Sequence, residues 1–407
     1  MELTAAPATY DCVRLDQLCT EISDCSHSTP VWKDQGVIVL RNQNISDGRL
    51  DLSQPSYTDE SHFRSRTQRA APMHPDLVIT REAPMGEVCM IPVGLRCCLG
   101  QRMVLLRPNS AATEPRYLLF AIQSASVQEA IRSRGGTGSI VANLRIPTLA
   151  AIQIAAPPLQ EQQLIADSLS AAVALIESLE QLIAKKRDLK QGAAQELLLG
   201  KKRLLGFSGK WEERSLGDLG TWKGGMTPSM ENSAYWERGT IPWISSGDVK
   251  SVLLKETGSL VTEVAVKQGK TTLLPPKCLV VVTRSGILRK YLPVAMNVVS
   301  MAINQDLKAL IPHAQYDPFY LLQLLAGNSD RILASCMKSG TTVESIEFSW
   351  LKRFPVPMPE IEEQTAIAAV LSDMDAEIAA LEAKLAKARQ IKGGMMQNLL
   401  TGKIRLV

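Results

Sequence analysis

The sequence predicts an α+β protein of two tandem globular domains, each followed by a long helix, the two helices packed as an antiparallel coiled coil with pseudo-two-fold symmetry. Three observations lead there. Residues 157–204 match residues 359–406 at a constant offset of 202 without a gap, and about half of the positions are identical. Within each copy, apolar residues recur at alternate steps of four and three, the heptad seam of a coiled coil. The stretches ahead of the two copies match more weakly but in the same order, so a whole unit of roughly 200 residues is duplicated.

The predicted organisation is a first domain over 1–156, a helix over 157–206, a second domain over 207–358 and a helix over 359–407. In each domain, residues 13–21 parallel 214–222, and the Thr29-Pro30 turn parallels Thr227-Pro228. An apolar strand then runs into a polar loop at 36–45 and again at 239–249. The β-rich runs 76–92 and 278–294 read as sheet core, with Arg81 and Arg284 each following a threonine. A short helix comes next, then a Gly-Thr loop at 135–139 or 339–343, then proline-punctuated strands that deliver the chain to its long helix.

Each long helix opens with proline and a Glu-Gln pair (Glu161 and Gln162, Glu363 and Gln364), because acidic side chains favour a helix N-terminus. Each stops at Gly-Lys (Gly200 and Lys201, Gly402 and Lys403). The seam is Ile165, Leu169, Ala172, Ile176, Leu179 and Ile183 in the first, and Ile367, Leu371, Met374, Ile378, Leu381, Leu385 and Ala388 in the second. The opposite faces carry Glu, Lys, Gln and Arg, so each helix is expected to bury one stripe, against the other. About 30 helical residues span roughly 45 Å, comparable to about 13 base pairs of duplex.

Composition restricts the function classes. The 407 residues are 45% apolar and 21% charged, a globular profile. The net charge of +4 is mild, so a polyanionic partner must be met by local basic surfaces. The eight cysteines form no CxxC. Cys12, Cys19, Cys25 and His27 lack the usual zinc-ligand spacing and read as free thiols, which suit a reducing cytosol. The N-terminus shows no leader pattern and no apolar run is long enough to span a bilayer, so a cytoplasmic protein is expected. Enzyme signatures are missing: residues 192–201 have the wrong spacing for a phosphate loop, the prolines lack an amino-methyltransferase context, and His27, His62, His74 and His313 form no nucleophile or zinc motif.

The residues PLQEQ at 158–162 and PEIEEQ at 359–364, the helices behind them, and LLLGKKRL and LLTGKIRL at 197–204 and 399–406 make the chain similar to the specificity subunits of type I restriction-modification enzymes. The resemblance covers essentially the whole chain. It implies two target-recognition domains that each read one half of a split target on double-stranded DNA. It also implies helices that set the spacing and dock two methyltransferase subunits, with motor and nuclease subunits added for restriction. Catalysis, and the S-adenosylmethionine it needs, would then lie on partner subunits, with no cofactor or metal in this chain. Two other readings stay open: a coiled-coil scaffold with duplicated protein-binding domains, favoured if the loop faces lack positive potential, and a self-sufficient nuclease or methyltransferase, which needs a pocket of perturbed carboxylates or histidines.

Under the DNA reading, polar loops supply the contacts, since side chains read base edges while cations, hydroxyls and amides hold phosphates. The first-domain candidates are Ser26, His27, Ser28 and Thr29; Arg41, Asn42, Gln43 and Asn44; Arg64, Arg66 and Arg69 in a basic stretch that reads as an exposed loop; Arg81; and Arg134 with Thr137. The second-domain candidates are Lys223 and Thr227; Ser245, Ser246 and Asp248; Lys267 and Lys270; Arg284; and Lys338, Thr341 and Thr342. The amides suit adenine and Arg41 suits guanine. Ordinary turn chemistry competes at each loop residue, and a structural ion pair competes at Arg81 and Arg284. Residues 185–190 (KKRDLK) are open between the DNA backbone, a partner and a solvated coiled-coil face.

Overall fold

The computed structural model describes residues 10–134, 143–340 and 342–406. It divides into two compact units, Met1–Glu180 with Ala383–Val407, and Gln181–Glu382. Each unit therefore holds one globular domain, half of each long helix, and its own core.

In the first unit a four-stranded antiparallel sheet orders its strands Cys19–Asp24, Met103–Pro108, Leu77–Thr80 and Val88–Met90. A three-stranded sheet places Val37–Leu40 between Tyr57–Thr58 and Cys97–Leu99. The Leu77–Thr80 strand shows why the run Leu77, Val78, Ile79 is unbrokenly apolar. Leu77 and Ile79 enter a core shared with the helices, while Val78 enters the core between the sheets, and a strand covered on both faces has no polar side. Two helices, Pro115–Gln123 and Ala125–Arg134, follow where one was expected. Strands Cys12–Arg14 and Gln153–Ala155 pair and hand the chain to the first long helix.

The second unit repeats this with more strands. Its five-stranded sheet runs Gly220–Gly224, Leu307–Pro312, Leu279–Val282, Val294–Asn297, Leu253–Leu254. A four-stranded sheet runs Ser259–Val261, Ile241–Ile244, Met301–Ile303, Thr272–Leu274. Leu279 and Val281 face one core and Val280 and Val282 the other. Helices Pro318–Gly327 and Ser329–Cys336 follow, and Glu212–Ser215 pairs with Pro355–Met358 ahead of the second long helix.

The long helices are Leu159–Leu198 and Ile361–Leu399, of 40 and 39 residues. At 1.5 Å per residue each is about 60 Å long, which corrects the expected 30 residues. Each continues past its seam because its last turns pack into a core: Leu399 and Leu400 join Ile165 and Leu169 in the first unit, and Leu197 and Leu198 join Ile367 and Leu371 in the second. Within each unit the two segments are antiparallel, since early residues of one meet late residues of the other. Ile176, Ile183, Ile378, Leu381 and Ala388 are buried, and Leu179, Met374 and Leu385 half-buried. The expectation of one apolar stripe per helix is incomplete, however. Leu182 and Leu189, seven apart, are 38% and 52% exposed on the first helix.

The Glu-Gln pairs do far more than favour a helix start. In the first unit the fully buried Glu161 carboxylate accepts both arms of the Arg405 guanidinium (2.6–3.0 Å), the Tyr10 hydroxyl (2.8 Å) and the Leu406 amide (3.3 Å). In the second, Glu363 accepts both arms of Arg203 (2.6 Å each) and the Trp211 indole N–H (2.9 Å). Arg405 lies over the Tyr10 ring and Arg203 over the Trp211 ring. Gln162 accepts from the Glu114 amide and donates to the Ala112 and Pro157 carbonyls, and Gln364 accepts from the Asp317 amide and donates to the Pro359 carbonyl. Gly200 (φ 66°) and Gly402 (φ 73°) then stop the helices in the left-handed region, as expected of C-terminal glycines.

Candidate nucleic-acid interface

The first-unit candidates converge on one cleft. The strand Val37–Leu40 ends in a 3-10 turn, Asn42–Asn44, closed by the Arg41 amide donating to Asn44 Oδ1 (2.9 Å). Thr29, Arg41, Asn42 and Gln43 line a cleft of about 520 Å³ together with Trp32, Gln101 and Arg102. The Arg41 guanidinium sits over the Trp32 ring at 5.2 Å from its centroid, and Trp32 is 45% exposed. Arg102, at φ 75° on the tip between Cys97–Leu99 and Met103–Pro108, pairs with Glu82 at 2.8 Å. Asn42 Nδ2 donates toward the Glu82 and Ala83 carbonyls, while its buried Oδ1 has no partner.

A smaller cleft of about 190 Å³ adjoins at Gln101 and Arg102, lined also by His27, Arg81, Glu82 and Asn143. His27 lines the smaller cleft and Thr29 the larger, both from the rim loop 26–29, which is an internally bonded turn. The Ser26 and Ser28 hydroxyls meet at 2.8 Å, His27 contacts Asp24, and Gln101 bonds the His27 carbonyl and Thr29 hydroxyl. Trp32, Gln101 and Arg102 were not anticipated. An aromatic in a polar loop was the available signal for Trp32, and the turn between two apolar runs for Gln101 and Arg102.

Several candidates are engaged inside the fold. Residues 61–69 are not an exposed loop: Glu60–Arg66 is a helix, capped by the Asp59 carboxylate accepting from the His62 amide. Its one buried residue is Arg66, which left no apolar period to detect. Arg66 donates to the carbonyls of Leu99, Ser28 and Ser26 (2.8–3.0 Å), so it staples the rim loop to the sheet. Arg64, Arg69 and Arg134 remain exposed. Asn44, 3% exposed, spends its side chain on the Arg41 amide and the Asp51 carbonyl. Arg81, 9% exposed, donates to both Asp24 oxygens at 2.8 Å and to Asn143, which is the structural ion pair left open for it. Its counterpart Arg284 is far more open: its side chain is 60% exposed and its ion pair with Asp306 is long, 3.9 Å.

Second-unit candidates are more dispersed. Asp248 accepts from the Ser245 amide and hydroxyl and from the Gly258 amide; burial pushes its carboxyl up, but these bonds hold it below the usual carboxylate range. Ser246 beside it is half-buried. Thr227 bonds Gln305, and Lys267 bonds Glu263 one helical turn away. The Lys338 ammonium 2.9 Å away, with the Ser349 hydroxyl, lowers the Glu347 carboxyl to about 2. Lys223, Lys270 and Thr342 are exposed. Thr341 and the whole first Gly-Thr loop, Thr137 included, lie outside the described residues.

The basic run at 185–190 is largely committed within the second unit, where Lys186, Arg187 and Lys190 pair with Glu377, Glu382 and Asp375 on the second long helix. Arg389 meets Glu180 in the first unit, the duplicate of the Arg187 pair. Among the described residues no cluster of His, Cys, Asp and Glu could hold a metal ion. Burial pushes the Cys19 thiol up to about 12, so it stays protonated and is a poor ligand. No helix among these residues is long and apolar enough to cross a membrane.

Fold and clefts define a protein of tandem recognition units. The chain belongs to the type I restriction modification DNA specificity domain family, whose model matches residues 36–185 and 208–390. The expectation of a recognition protein rather than an enzyme follows that family. The chain is 38% identical over 174 residues to the EcoR124I/EcoR124II specificity subunit of Escherichia coli, covering 42% of this chain and 43% of that one. The matched segment thus spans less than half of that relative. A putative type I restriction enzyme MjaX specificity subunit of Methanocaldococcus jannaschii is 25% identical over 397 residues, 91% of this chain and 88% of that one. The fold is also similar to the S subunit of a type I restriction-modification system from M. genitalium, with TM-score 0.58 and 15% identity over 98% of both chains.

Proposed function

We propose that this chain is the sequence-specific DNA-binding subunit of a type I restriction-modification complex and catalyses nothing itself. It reads a bipartite target on double-stranded DNA, one half-site per unit. The long helices, as an antiparallel coiled coil about a pseudo-two-fold axis, set the gap between the halves. Two methyltransferase subunits, each carrying S-adenosylmethionine, dock on the helix repeats, and motor and nuclease subunits join where the complex restricts. The complex works in the cytoplasm.

The observation that carries this reading is the doubled bracket. Glu161 with Arg405 and Glu363 with Arg203 build the same closure in each unit, yet the domains that carry these closures match only weakly in sequence, and their described polar loops make different contacts. A scaffold binding one kind of partner twice has no use for such divergence, whereas two half-sites of different sequence require it. The loop faces also keep exposed cations, Arg41, Arg64 and Arg69 in one unit and Lys223, Lys270 and Arg284 in the other, as phosphate contact demands.

The test is to co-express the chain with its cognate methyltransferase and map methylated bases by single-molecule sequencing. A split motif with a fixed gap is expected, and exchanging residues 1–156 for those of a relative should change one half alone. An assembled, methyl-donor-binding complex that yields no motif overturns the proposal.

A further inference from the structure

The geometry points to Arg41 as the residue that reads a guanine in the first half-site, with Trp32 as the platform that aims it. This rests on the DNA-recognition reading and assigns one contact within it. Arg41, Asn42 and Gln43 stand side by side on the cleft wall, and the sequence left adenine and guanine readers equally open. The structure takes two of the three amides, Asn42 and Asn44, out of reach and leaves Gln43 and Arg41 exposed.

Asn42 is not available as a reader of adenine. That contact needs its amide N–H and its carbonyl oxygen on one base edge. Here Nδ2 is turned to the Glu82 and Ala83 carbonyls and Oδ1 is buried. Asn44 is wholly consumed by the turn. Of the two cations on the cleft, Arg102 is neutralised by Glu82. Arg41 pairs with no carboxylate among the described residues; its one polar side-chain contact is a long bond to the Ser56 hydroxyl, 3.5 Å.

What holds Arg41 is the indole face. A guanidinium lying over an aromatic ring keeps its N–H edge free while losing rotamer freedom beforehand. Ordering the donor before binding removes part of the entropic cost of the contact. A fork of two parallel donors matches two adjacent acceptors, and guanine, with O6 and N7, is the base that presents them in the major groove. A phosphate contact needs neither the platform nor a concave site lined with amides.

The test uses the full complex with its methyltransferase. Wild type, Arg41→Lys, Arg41→Ala and Trp32→Ala are compared by methylation-motif mapping and by binding to targets varied at each position of both half-sites. For Arg41→Ala, one G·C position of one half-site becomes degenerate, and affinity for the native target falls about 5- to 150-fold, the loss of one bidentate base contact. Arg41→Lys keeps the charge but not the fork and loses the same discrimination. Trp32→Ala relaxes the same position less. An unchanged second half-site shows that each variant is folded. Arg41→Lys with wild-type specificity, or Arg41→Ala with uniformly weaker binding and a shallower salt dependence, assigns Arg41 to a phosphate and overturns the inference. Wild-type complex with no motif fails the underlying reading instead, and that failure shows before any variant is made.

Discussion

Glu161 and Arg405, 244 residues apart in sequence, form a two-armed ion pair in which the carboxylate is wholly buried and also takes the Tyr10 hydroxyl. The start of the first unit, the start of its long helix and the end of the chain therefore meet at one side chain. Replacing that carboxylate by an amide leaves the shape but strands part of the guanidinium fork.

For Glu161→Gln, the expected loss is about 1.5–3 kcal/mol, as for hydrogen bonds to a charged group. Hydrogen exchange followed by mass spectrometry should show faster exchange at residues 10–20 and 400–406, with residues 203–215 unchanged. Glu363→Gln should give the mirror result, loosening 203–215 alone. Exchange that rises equally in both regions contradicts two self-contained brackets.

The same carboxylate sets an acid limit. Burial pushes the Glu161 carboxyl up, but the Arg405 fork, the Tyr10 hydroxyl and the Leu406 amide outweigh it and hold the folded-state value below the usual range. A group depressed in the folded state stabilises at pH values above its unfolded value, about 4.3, and loses that contribution as pH falls through the folded one. Stability of the first unit should thus be insensitive to this group from pH 7 to about 5 and fall below about 4. In Glu161→Gln that part of the acid dependence should vanish, measured by urea unfolding across pH.

What the sequence made legible is local or periodic. The gap-free repeat showed the duplication, and a strand buried on both faces, such as Leu279–Val282, reads as an unbroken apolar run. The seam positions follow from heptad spacing alone. What stayed hidden depends on partners far away in the chain. Nothing near Glu161 or Glu363 signals Arg405 or Arg203, so helix-start chemistry seemed enough. Arg66 and Arg64, two residues apart, look alike in sequence, and only the folded loop at 26–28 makes one a staple. The Trp32, Gln101 and Arg102 cleft is assembled from segments some 70 residues apart.

Leu182 and Leu189 share a face of the first long helix within the second unit and are 38% and 52% exposed. Exposed leucines at seven-residue spacing suit a partner helix or groove. Leu182→Lys with Leu189→Lys should abolish co-purification of a methyltransferase subunit with the second unit's helix segments, while the thermal stability of the chain and its binding to DNA alone change little. Retained association places the docking surface elsewhere.

Arg64 and Arg66 give the sharpest separation of surface from scaffold. Arg64 is 80% exposed in its side chain and its ion pair with Glu60 is long, 3.7 Å, and open to solvent, so it costs little to exchange for a phosphate. Arg64→Ala should weaken binding to all duplex sequences about equally and reduce the salt slope of the binding constant by about one. Arg66 touches three carbonyls and is 9% exposed. Arg66→Ala leaves those acceptors without their donor in a covered position, at a cost of about 1–3 kcal/mol, and releases the turn that carries His27 and Thr29. Its effect should appear as lower stability and as lost discrimination in the first half-site, with the salt slope unchanged. If Arg66→Ala instead lowers the salt slope and leaves stability intact, the guanidinium reaches the phosphates and the staple is not its function.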